Sequence, residues 1–124
     1  MKKLILPFIG LILYGCYYDN QEALYGKPGG ECDTLAVKYS THILPILQTY
    51  CYVCHSAALV AEGGGGGYNL EDFSTLQTLA LNGHLYGAVD HAAGYSPMPK
   101  YGNKLSDCEI STIKIWENNG TLNN

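Results

Sequence analysis

Arginine is missing from this chain of 124 residues, and seven lysines face eleven acidic residues, for a formal charge of −4. Phosphate backbones are gripped by basic side chains, so an acidic, arginine-free surface argues against a nucleic-acid partner. Long apolar runs are missing too. The longest, Leu4 to Tyr14, is about half the ~20 residues that a bilayer-spanning helix needs, which makes a transmembrane helix the weaker reading. There is no second C-x-x-C and no H-x₃₋₅-H, so the paired ligands of a typical zinc site are not available. No strand-like alternation of useful length appears and nothing repeats internally, which leaves a small, mostly helical domain. Methionine is scarce: beyond Met1 there is only Met98.

What is present begins with MKKLILPFIGLILYGC. Lys2 and Lys3, a short apolar stretch and Gly15 before Cys16 describe an export signal over residues 1–15. The ending L-Y-G-C resembles a bacterial lipobox, in which the cysteine is lipidated after cleavage, although Tyr14 is bulkier than that pattern usually carries. The other reading is an ordinary secretory signal that leaves Cys16 unmodified. Residues 16–35 then read as a lipidated tether, with Lys-Pro-Gly-Gly at 27–30, and residues 36–124 as the domain. The mature chain would carry five lysines, no arginine and a formal charge of −6, suited to steering toward a basic partner. Outside the cytoplasm its thiols should be oxidised, ligated or capped.

Along the domain, Ser40 or Thr41 can cap a helix running to about Tyr50, with Ile43, Leu44 and Leu47 on one face. Pro45 is tolerable in its first turn, where N–H groups have no intrahelical partner. Five consecutive glycines, 63 to 67, break regular structure. They read as a hinge or ligand loop or, better, as a permissive surface loop. Ser74 to Gln77 offers a capping box for a helix stopping near Asn82–Gly83, and residues 84 to 93 could add a further helical turn. Ser106 to Glu109 is a second capping box. It opens a helix that sends Ile110, Ile113 and Trp116 to a core and ends at Asn119–Gly120.

Residues 51 to 56 read CYVCHS. A redox dithiol wants its C-x-x-C after a strand, at a helix N-terminus that depresses the thiol pKa, whereas this pair follows a predicted helix. Covalent haem accounts for every residue of the motif. Two thioethers fix the ring to Cys51 and Cys54, and the adjacent His55 is held under the iron as axial ligand. Met98, in S-P-M-P-K, is the candidate for the other axial position, on a loop stiffened by Pro97 and Pro99. His84 and His91 compete for that position, as does an open or water-ligated iron. For His42 a solvated or capping role is expected.

The order I-L-P-I-L, C-Y-V-C-H-S, G-G-Y-N-L, P-M-P-K-Y-G-N-K-L-S-D-C-E-I and I-W-E-N-N-G resembles small mono-haem cytochromes c. It looks closest to domains in lipoproteins and larger exported proteins of Bacteroidetes and Planctomycetes. The similarity covers roughly residues 36 to 124. It implies an all-α, cytochrome c-type fold of three to five helices around one haem c, with the first and last helices crossing beside it. It matches His55 and Met98 to the axial ligands and Trp116 to the aromatic of the last helix. Where family members often read M-P-P, this chain has Met98-Pro99-Lys100, which alters charge at the haem edge and leaves ligation alone.

Cys32 and Cys108 are the cysteines left over, and a disulfide between them is expected. A Cys108 buried as a small hydrophobe is the alternative. The function expected from these residues is that of a membrane-tethered, extracytoplasmic electron carrier serving redox partner proteins, and not of an enzyme. The alternatives are a haem peroxidase or small-gas-binding protein with a labile sixth ligand, where His91 or Tyr95 could act, and a haem-bearing subunit of a larger respiratory complex.

Overall fold

Every regular element between Cys32 and Asn124 is helical; these are the residues that the structure, a computed structural model, describes. The expected leader, Cys16 and the tether up to Glu31 lie outside them. The described residues are therefore all-α.

A π-helical turn, Tyr39–Ile43, runs directly into α1, Leu44–Tyr50. Pro45 explains the wide turn. It has no N–H to offer the carbonyl four residues back, and its ring pushes that carbonyl aside. Widening the preceding turn takes up the misfit: Ile43 N–H reaches Lys38 O at 3.4 Å, five residues back, and Leu44 N–H reaches Tyr39 O. Pro45 is the second residue of α1, in its first turn as expected, and the wide turn ahead of it continues the helical path. Neither Ser40 nor Thr41 caps it, because the chain turns helical before them. Its leading N–H groups find other acceptors: Lys38 N–H donates to His42 Nδ1 at 3.2 Å, and Tyr39 and Ser40 donate to Asn124 Oδ1 and O, both at 2.9 Å.

Three short elements follow: α2, Tyr52–His55; α3, Ala57–Ala61; and a 3₁₀ turn, Gly65–Gly67. The expectation of three to five helices undercounts, because the stretch from Leu44 to Ala61 is broken at Cys51 and again at the extended Ser56. α4, Phe73–Leu81, is capped by Asp72 and not by the predicted Ser74–Gln77 box. The Asp72 carboxylate accepts Thr75 N–H at 2.9 Å and the Thr75 hydroxyl at 2.6 Å, bonds that hold it below the usual carboxylate range. α4 ends at Asn82–Gly83 as predicted, and α5, His84–Val89, supplies the expected further turn. α6, Asp107–Asn118, opens with the predicted box: Ser106 Oγ accepts Glu109 N–H, and the Glu109 carboxylate accepts Ser106 N–H at 2.8 Å.

α6 packs on the Tyr39–Ile43 turn and on α5, and α5 packs on α4. Their shared core buries Ile43, Leu47, Leu76, Val89, Ile110, Ile113 and Trp116. Ile46 joins it where Leu44 was expected; Leu44 is only half-buried. The buried Trp116 satisfies its indole N–H on Leu122 O at 2.9 Å, and the rings of Tyr39 and Phe73 stand 6.0 and 6.3 Å from it. Cys32 and Cys108 are disulfide-bonded with Cα atoms 5.5 Å apart, inside the span such a bridge allows. Among the described helices none is long and apolar enough to cross a membrane by itself.

Candidate functional site

The helical path bends by 69° between Tyr39–Tyr50 and Tyr52–Ala61, and Cys51 stands at the bend. Its N–H closes α1 on Leu47 O at 2.8 Å, while its own carbonyl accepts the N–H groups of Cys54 and His55 at 3.1 and 2.9 Å. One helical turn therefore carries Cys51, Cys54 and His55 on one face, since residues three and four apart are neighbours there. Cys51 is half-buried and Cys54 exposed, both as free thiols, and Val53 between them is open to solvent. Burial pushes the Cys51 thiol up to about 11. A redox dithiol needs the opposite shift, toward a stable thiolate.

His55 is held twice. Its ring Nδ1 lies 3.0 Å from Tyr68 O, where it can only donate, and its backbone carbonyl accepts Leu70 N–H at 2.9 Å. With Nδ1 carrying the proton, Nε2 keeps its lone pair for a ligand.

Two of the five glycines, Gly64 and Gly65, leave no room for a side chain beside this arrangement, while Gly63 and Gly67 stand in open space as a permissive loop would. A Cβ on Gly65 would lie 2.6 Å from Cys54 O and 3.0 Å from His55 Nδ1, and its φ of +58° disfavours any side chain. Gly64 is as tight, 2.8 Å from Leu59 O. Sequence reasoning missed Gly65, Tyr68 and Leu70 as supports of His55. The compact G-G-Y-N-L stretch was the only signal, and it does not say which carbonyl meets which ring.

Met98 comes from a different scaffold, the loop that follows α5. It is half-buried, and its N–H donates to Ala88 O at 3.0 Å. Its competitors are engaged elsewhere. His91 puts Nε2 3.1 Å from Met98 O, and His84 stacks edge-on to Tyr95 at 5.5 Å. His42 plays the capping part expected of it, with Nδ1 accepting Lys38 N–H. Among the described residues no three His, Cys, Asp or Glu side chains gather as a metal-holding set. A bare ion would find an incomplete shell at Cys51, Cys54 and His55, whereas a haem brings its own ring of nitrogens and asks the chain only for axial ligands. The donor types of Cys51, Cys54 and His55 suit that group.

Comparison with known families, with curated proteins and with solved structures brings up no match.

Proposed function

We propose that the chain is a membrane-tethered, extracytoplasmic mono-haem c-type cytochrome with a cytochrome c-type fold, exchanging single electrons with redox partner proteins. The observation that carries the reading is the one-turn grouping of Cys51, Cys54 and His55, with the ring of His55 turned by Tyr68 O so that Nε2 is free. A haem held there supplies one-electron exchange at its iron. The chain's own part is to anchor, orient and exclude. Cys51 and Cys54 give the two thioether sulfurs, which keep the group on a domain too small to wrap it. His55 binds through Nε2, made a better donor by the carbonyl on its other nitrogen. Met98 would supply a thioether as the second protein ligand, which would leave no vacant site for a substrate and raise the reduction potential relative to a second histidine. Cys16 carries the lipid that keeps the acidic domain at the membrane, and Cys32–Cys108 bolts the start of the domain to α6.

The test is extraction in acid-acetone of protein matured in an exporting host with haem-attachment machinery. Colour should stay with the polypeptide, because thioethers survive denaturation and axial bonds do not. Cys51→Ser or Cys54→Ser should abolish or cripple maturation. Colour passing wholly into the solvent overturns the reading.

A further inference from the structure

We infer that His91 is a positioning residue for the Met98 thioether, an inference that rests on the axial-ligand reading above. α5 ends in a paired hydrogen-bond cap: His91 N–H donates to Ala88 O at 3.3 Å, and Ala92 N–H to Gly87 O at 2.9 Å. The residue at the turning point of such a cap adopts the left-handed conformation, where glycine is at ease and other residues are strained. This chain uses glycine at the matching place after α4 and after α6, Gly83 with φ +77° and Gly120 with φ +88°. After α5 it has His91 instead, at φ +58°.

What the imidazole does there gives it a use. Nε2 meets Met98 O at 3.1 Å, and since a carbonyl only accepts, Nε2 carries the hydrogen. The Met98 N–H donates to Ala88 O, the same carbonyl that receives His91 N–H. Both polar groups of the Met98 backbone are therefore fixed to the end of α5, one by the helix and one by the ring. Prolines 97 and 99 stiffen this loop but do not tie it to α5. The ring of His91 ties it, and so sets where the Met98 side chain starts from.

Three substitutions in the full haem-bearing chain separate this role from a merely structural one. His91→Gly relieves the backbone and deletes the ring. His91→Asn tolerates the left-handed conformation, but its amide sits at the level of Nδ1, too short to reach Met98 O. His91→Gln puts an N–H at the level of Nε2. Glycine and asparagine should leave thermal stability level or higher, yet weaken the absorption given by a methionine–iron(III) bond. They should also raise cyanide affinity about fivefold, the scale of one lost hydrogen bond, and speed amide exchange at Met98 by a similar factor. Glutamine should recover part of each. Unchanged absorption, cyanide affinity and exchange in His91→Gly overturn the positioning role and leave Met98 as ligand. If the wild type itself lacks the methionine absorption while keeping covalent haem, the axial-ligand reading fails and the inference falls with it. A loss of thermal stability in His91→Gly and His91→Asn that tracks the loss of absorption makes the role structural and overturns it as well.

Discussion

His55 and Met98 stand on segments built by different means. His55 sits in a helical turn whose ring and carbonyl are both met by the strand of chain just after the glycines, Tyr68 and Leu70. There the side chain itself is gripped, and room for the grip is made by residues that lack a Cβ. Met98 has no side-chain hydrogen bond to orient it. Its loop is gripped by the backbone, through Ala88 O and the ring of His91, and Tyr95 lies so close over Gly87 that a Cβ there would come within 2.6 Å of the ring. The first arrangement fixes a donor atom. The second fixes a starting point and leaves a flexible thioether to find its own reach, which suits a soft, unbranched side chain.

The Cys32–Cys108 bridge encloses both segments, so its removal gives the baseline for the comparison. Cys32→Ser with Cys108→Ser should cost about 4 kcal/mol by chain entropy for a loop of this span. Both segments should lose protection equally, as read by hydrogen exchange at Leu70 and Met98. A loss confined to one of them would show that the bridge acts locally.

Gly65→Ala should break the His55 side alone. The new Cβ meets Cys54 O at 2.6 Å in a left-handed backbone, so about 1–3 kcal/mol of stability should go. The His55–Tyr68 bond should loosen, seen as a moved imidazole resonance, while exchange at Met98 stays put. A fully tolerated alanine would mean that the glycine turn does not press on the motif.

Met98→Ala acts on the other side. Truncating a half-buried methionine should cost about 1 kcal/mol, well below the 2–5 of a fully buried one. The loop should hold its place, because Ala88 O and His91 grip backbone that alanine retains. In the haem-bearing chain the iron should open to water or cyanide and its potential should fall. An unchanged spectrum and potential would falsify Met98 as the ligand and return His84 and His91 to candidacy.

How much of this could be read beforehand depends on what kind of information each feature uses. The α6 box at Ser106–Glu109, the buried stripe of Ile110, Ile113 and Trp116, and the stop at Asn119–Gly120 were all legible, because caps and helical spacing are local. That Cys51, Cys54 and His55 share one turn was legible for the same reason. Pro45 fell in the first turn of α1 as read, but the wide turn before it was not legible, because widening is a property of several residues at once. The cap of α4 fell to Asp72 over Ser74, a choice between two good cappers that the approach of the preceding chain decides. Least legible were the supports of the two candidate ligands. Tyr68 lends a carbonyl, Gly65 an absence of side chain, and His91 a ring in a strained turn, and none of these is a residue type that announces its partner.

The smallest effect belongs to Glu117, which steadies the Met98 side from the far end of α5. Its carboxylate accepts Tyr86 N–H at 3.0 Å, in the first turn of α5, and Lys114 stands 4.0 Å away. Burial against α5 nonetheless pushes the carboxyl above its ordinary range, outweighing the bond to Tyr86 and the charge of Lys114. A carboxyl raised in the folded state contributes stability below its unfolded pKa, where both states are protonated, and that contribution is lost as pH rises through the folded value. Glu117→Gln keeps an acceptor for Tyr86 N–H and removes the charge. Wild type and variant should therefore melt together well below the carboxylate range, at about pH 3. Toward neutrality the variant should draw ahead, by under about 1 kcal/mol because solvent screens a partly buried group. Melting curves at the two pH values check this, with exchange at Met98 recorded alongside. A difference that does not vary with pH would mean that burial of the charge is not what Glu117 costs, and that its bond to α5 outweighs it throughout.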